Sequence, residues 1–294
     1  ILAFGTVSQL GLITVMVGSG GSEMMLAGLA MLCAHAMFKA ALFMVVGIID
    51  KRFGTRDLRV LSGVGRVAPV LAVIGTLSAA SMAAVPPLYG FVAKESIYSA
   101  LWYAGGWQRL LLIALVAGSV LTVAYSWRFV RGAFGPAPGA PRVAAVRITP
   151  LYLLAPALIT AASLALIVLT SPLEEMLRTY ASVLPETGEG IHLVVIPHLG
   201  VPLLASAITL GLGIVLCLIP RPVALLQKAV SPLTWAPERA LDVLDAERGF
   251  RRILRTVDKL SIIITPLFQR GSLPYTLGTM LVVLLALVAP VALT

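Results

Sequence analysis

Acidic residues are scarce in this chain. Thirteen Asp and Glu stand against 22 Lys and Arg, and charged residues of both signs make up only 12% of 294 positions. A water-soluble domain runs nearer a quarter charged, so the composition excludes that class. Cysteine is almost missing too. Cys33 and Cys217 lie in separate apolar stretches without metal-like spacing, which excludes a disulfide framework and leaves both as packing residues. There is no Gly-rich phosphate loop, no Cys/His cluster and no G-x-S-x-G step, so no cofactor or metal is expected. Strict apolar–polar alternation is also lacking, which excludes a membrane β-barrel. The chain opens at Ile1 inside a hydrophobic run with no charged flank, and so reads as a fragment of a longer protein.

What is present is long apolar runs. Hydrophobic residues make up 59% of the chain and the mean hydropathy is +0.98. The runs fall at about 1–18, 26–49, 67–104, 110–130, 150–170, 196–219 and 273–293. Crossing about 30 Å of hydrocarbon takes roughly 20 helical residues, and only helices satisfy their own backbone groups in lipid. The expected fold is therefore an all-α integral membrane bundle of about seven transmembrane helices.

The 67–104 run is too long for one ordinary span and carries the pair Pro86-Pro87, where a helix must break. Charge placement decides how often it crosses. With one crossing, the 50–66 loop (Lys51, Arg52, Arg56, Arg59, Arg66), the 128–149 loop and the 220–272 segment share a face, gathering 18 basic residues. The other face keeps only Arg109 and Arg178, beside Glu23, Glu174, Glu175, Glu186 and Glu189. With two crossings, 13 positive charges fall outside, against the positive-inside bias. One interrupted span follows, with the basic loops cytoplasmic. This placement in loops also argues against nucleic acid as the partner of a +9 chain.

Residues 131–149 form a Pro/Gly-rich cytoplasmic linker, 150–219 hold two further spans, and 273–294 the terminal span. Between them, 220–272 is too polar to cross. Leu241, Leu244, Phe250, Ile253, Leu254, Val257, Leu260 and Ile264 recur at helical spacing there, which predicts an amphipathic lateral helix on the cytoplasmic side.

Of the 35 charged side chains only Lys39, Lys94 and Glu95 lie well inside apolar spans, joined by His35. Each such charge costs roughly 3 kcal/mol to insert and persists where it is paired, solvated or functional. His35 and Lys39 stand four apart in "HAMFKAALF" and share a helix face. Both can carry protons, or they can form a satisfied structural contact. Lys94 and Glu95 are adjacent, so on a regular helix they point about 100° apart and need not pair with each other. Lys94 follows the helix break, and broken helices with charge beside them mark ion and proton sites in transporters. Ser8 and Gln9 read as interhelical hydrogen bonds or as pathway lining, and His192 and His198 as exposed or capping residues near the outer interface.

"AFGTVSQLGLI", "HAMFKAALFMVVG" and "PPLYGFVAKESI" occur in the order and spacing of the antiporter-like proton-translocating subunits shared by complex I and the Mrp cation/proton antiporters. "FMVVGIIDKRFGTRDLRVLSGV" and the tail "RGSLPYTLGTMLVVLLALV" resemble the A-type Mrp subunit most. The resemblance implies two inverted five-helix repeats with a broken helix in each, this chain beginning near the start of the second. Residues 1–130 would be that half of the antiporter-like domain. It also implies that Lys94 matches the principal proton-carrying lysine, that His35 and Lys39 match titratable positions of the preceding span, and that Met31 stands where some relatives carry a second histidine. Glu95 is expected to tune the charge. The implied function is a proton-translocating subunit of a multisubunit Na⁺/H⁺ antiporter in a bacterial plasma membrane, a transporter rather than an enzyme. Its partners would be other subunits, lipid, H⁺ and Na⁺. The alternative is a proton-pumping subunit of a complex I-like oxidoreductase or a related hydrogenase.

Overall fold

In the computed structural model, residues 2–58, 61–136, 148–185, 190–218, 246–268 and 273–292 are described. Their regular structure is all helix, with no strand among them. The chain divides into two units, 1–223 and 224–294. The first holds nine helices among its described residues: α1 (Leu2–Gly18), α2 (Ser22–Phe53), α3 (Val64–Val67), α4 (Pro69–Met82), α5 (Tyr89–Ala104), α6 (Gln108–Phe134), α7 (Pro150–Val168), α8 (Thr170–Ala181) and α9 (Val201–Leu218). The second holds α10 (Ala246–Phe268) and α11 (Leu273–Ala292).

Among the described residues, four helices are long and apolar enough to cross a membrane: α2, α6, α7 and α9. At 1.5 Å per residue the 32 residues of α2 reach about 48 Å, well beyond about 30 Å of hydrocarbon. The surplus carries Asp50, Lys51 and Arg52, and the helix stops at Gly54, whose left-handed φ of 70° lets its N–H cap the Asp50 carbonyl. α2 is the hub, packed by α1, α4, α5, α7 and α8. Its buried residues run the length of the helix, from Met24 and Leu26 to Val45 and Ile49, and leave one stripe with Leu32 and Phe43 exposed.

The peripheral helices reverse the pattern of soluble proteins. α7 buries only Pro156, Thr160 and Ser163, and α9 buries Pro202, Ala205, Ser206, Thr209 and Gly213. Their large apolar side chains, such as Leu154, Leu158, Leu204 and Ile214, point outward. Lipid solvates leucine as well as a protein core does, so packing in a bilayer selects small residues and hydroxyl bonds. At Gly213 a Cβ would fall 2.5 Å from that of Val123, the close approach that seats α9 on α6. Ser78 Oγ and Thr160 Oγ1, 3.1 Å apart, tie α4 to α7.

The break expected at Pro86-Pro87 falls between α4 and α5, over residues 83–88. α4 has 14 residues and α5 has 16, so each reaches only about 21–24 Å and neither alone spans the hydrocarbon. Ala84 takes a left-handed φ of 59°, and Val85 N–H returns to the Ala80 carbonyl at 3.0 Å. Gly90 then lies against the backbone of Ser81, its N–H donating to Ser81 Oγ at 3.2 Å. The two half-helices thus meet through one glycine and one serine.

Of the lateral segment, 246–268 is helix α10, in which Ile253, Leu254, Val257, Leu260 and Ile264 are exposed. The rest of that segment, 220–245 and 269–272, lies outside the described residues, as do 137–147 of the Pro/Gly-rich linker.

Candidate proton-handling site

The four ionisable residues singled out within the spans are all buried. Lys94 is 1% exposed, Glu95 3%, Lys39 4% and His35 6%. α2 positions His35 and Lys39, and the first turns of α5 after the break position Lys94 and Glu95.

Each finds a different environment. Lys39 Nζ donates to the Leu2 carbonyl of α1 at 2.9 Å. His35 meets the edge of Phe38, ring centroids 5.4 Å apart, while its Nδ1 is buried without a hydrogen-bond partner. No hydrogen bond joins His35 to Lys39 among the described residues, although they share a face. Lys94 Nζ is likewise buried and unpartnered. Lys94 and Glu95 form no ion pair with each other, as their angular separation implies. Glu95 instead accepts a short hydrogen bond from Ser206 Oγ of α9.

A buried polar group without a partner is costly, and an ammonium more so. Lys94 Nζ, His35 Nδ1, Tyr89 OH, Tyr125 OH, Gln9 Oε1 and Ser22 Oγ form the set of such atoms among the described residues. They lie on α1, α2, α5 and α6. Gln9, read from sequence as a hydrogen-bonding or lining residue, is 5% exposed.

Glu95 opens onto a cavity of about 280 Å³ lined also by Ser96, Ser99, Tyr103, His192 and His198. Beside it an ion-pair cluster ties three segments together. Arg178 of α8 bridges Glu23 of α2 at 3.2 Å and Glu174 at 2.9 Å, and donates a short bond to the Ile191 carbonyl. Glu23 Oε2 accepts from Ile191 N–H at 2.9 Å, and Glu174 Oε2 from Leu193 N–H at 2.8 Å. His192, exposed as expected, lies 2.9 Å from Glu174 Oε1 through Nδ1. Burial alone would raise the Glu174 carboxyl. The bonds from Arg178, Leu193 N–H and His192 outweigh it and hold the group below the ordinary carboxylate range. Burial likewise opposes the Arg178 charge, and the two carboxylates overcome it and raise that group.

Sequence reasoning missed Ser206, Tyr125 and the Arg178 cluster. The cluster alone left a signal: Arg178 is one of two basic residues on an otherwise acidic face.

Residues 1–122, which contain all four ionisable residues, match the family described as the NADH:quinone oxidoreductase/Mrp antiporter transmembrane region. The chain is 39% identical over 155 aligned residues to "Putative antiporter subunit mnhA2" of Staphylococcus aureus strain USA300, and 38% identical to the protein of that name in strain JH9. Each match covers 46% of this chain and 19% of the relative. The solved Mrp complex from Dietzia sp. DQ12-45-1b contains a chain of similar fold, with a TM-score of 0.66 and 30% identity. That likeness covers 99% of this chain and 31% of the other, so this chain spans under a third of its structural relative.

Proposed function

We propose that this chain is part of a proton-translocating subunit of a multisubunit Na⁺/H⁺ antiporter of Mrp type. The observation that carries the reading is the unpartnered ammonium of Lys94, 99% buried one turn beyond a helix break. A group so placed is stable only if it can lose its proton or meet water, which suits a carrier and not a packing residue. Protons pass between the His35/Lys39 face and Lys94, and Glu95 links Lys94 to the outer cavity. The half-helices α4 and α5 make one interrupted crossing, giving seven spans with α1, α2, α6, α7, α9 and α11. α10 lies laterally on the cytoplasmic surface, with the basic loops on that side of the cell membrane. The likeness to a chain of the Dietzia Mrp complex supports other subunits as partners.

The test uses everted vesicles carrying the full complex, wild type and Lys94→Ala at matched expression. Na⁺ is added to a preformed pH gradient without NADH or quinone. Dissipation by wild type and none by an assembled mutant supports the reading. A mutant that responds like wild type makes the lysine structural. Activity that appears only with NADH assigns the chain to the redox branch of the family.

A further inference from the structure

The Lys39 ammonium sits in a pocket shared by three helices, and one occupant of that pocket has no role so far. A Cβ built on Gly5 of α1 would lie 3.0 Å from Lys39 Nζ and 2.9 Å from Tyr125 OH of α6. The two polar atoms therefore flank the same point on α1, no further apart than 5.9 Å, the two distances laid end to end. The Tyr125 hydroxyl is buried and makes no well-formed hydrogen bond among the described residues: its neighbour, the Thr122 hydroxyl, is itself committed to the Gly118 carbonyl at 3.0 Å. The Leu2 carbonyl that holds Lys39 at 2.9 Å also accepts from Thr6 Oγ1 at 3.0 Å.

These acceptors differ in chemistry. A backbone carbonyl can only accept, so it serves the N–H groups of either form but offers nothing to the lone pair that the lysine gains on losing its proton. A phenol does both: its oxygen accepts from the ammonium, and its O–H donates to the amine lone pair. We propose that Tyr125 is a positioning residue for Lys39, the partner that draws the side chain off the Leu2 carbonyl and holds it in either protonation state. Gly5 is the residue that leaves room for the two groups to meet. The proposal rests on the proton-relay reading of Lys39 and adds to it the device by which a carbonyl-bound lysine can discharge.

The experiment compares Tyr125→Phe, Lys39→Gln and the double variant in everted vesicles of the full complex, with assembly checked by recovery of all subunits. Proton flux is driven by Na⁺ or, if the wild type ignores Na⁺, by NADH. The second case counts against the antiport reading and leaves the comparison intact. Tyr125→Phe is expected to slow the flux about tenfold, the rate equivalent of about 1.4 kcal/mol. The double variant should be no slower than Lys39→Gln alone, because the phenol acts through the lysine. Gly5→Ala keeps both side chains and wedges a methyl between them, and should reproduce the Tyr125→Phe loss. Flux within about twofold of wild type for Tyr125→Phe, or losses that simply add in the double variant, overturns the proposal.

Discussion

Gly90→Ala is the substitution whose cost the structure defines most closely. A Cβ on Gly90 would collide with the Ser81 carbonyl oxygen, and would fall 2.7 Å from the Ser81 carbonyl carbon and 2.9 Å from its Oγ. The first two are backbone atoms at the end of α4, so no side chain can turn aside. Either the half-helices separate or the helix start unwinds. Overpacking of this kind costs about 1–3 kcal/mol. Losing the 3.2 Å bond from Gly90 N–H to Ser81 Oγ adds about 1 kcal/mol. Gly47 is the control, since a Cβ there meets nothing within 4 Å and alanine favours helix. Thermal unfolding of the detergent-solubilised full complex should put Gly90→Ala on the order of 5 °C or more below wild type. Gly47→Ala should match wild type or exceed it. Lys94 follows Gly90 by one helical turn, so transport should decline with the same variant. A Gly90→Ala complex that melts and transports like Gly47→Ala would refute the contact as the hinge of the interrupted span.

Two further outcomes follow from the Glu174 cluster and from the Glu95–Ser206 bond. The Glu174 carboxyl is held below the ordinary carboxylate value of 4.5, so the stability it lends is present above that pH and is lost as pH falls through the lower folded value. The Leu193 amide, which donates to Glu174, should stay protected from hydrogen exchange at pH 5 and lose protection only below 4.5. Loss of protection already at pH 6 would show that the carboxylate does not hold this segment. Ser206→Ala removes the donor to a 97% buried carboxylate and should cost about 1–3 kcal/mol in a stability assay of the complex. A Thr substitution that keeps the hydroxyl should recover most of it, and equal melting of the Ala variant and wild type would argue against the bond.

Much of this architecture was legible in the chain because a bilayer leaves few options. A long apolar run must be helical, so α2, α6, α7 and α9 follow from composition and length. Two adjacent prolines must interrupt a helix, so the break at 83–88 was expected within a few residues. Charge is scarce enough that Lys39, Lys94, Glu95 and His35 stand out by contrast alone. Their adjacency also predicted correctly that Lys94 and Glu95 look in different directions.

Their partners were not legible, because a hydroxyl carries no signal of its own in an apolar helix. Ser206 reads like any small packing residue until α9 crosses α5 and sets it on Glu95, 111 positions away in sequence. Tyr125 and Gly5 are ordinary until α1 and α6 bring them to one point beside Lys39. Which side chains the membrane makes expensive follows from residue type, since transfer into lipid depends on it. What answers each of them came from how the helices pack: a carbonyl for Lys39, a serine for Glu95 and, among the described residues, no side chain for Lys94. Those answers rest on distances of about 3 Å between helices, which local pattern does not encode.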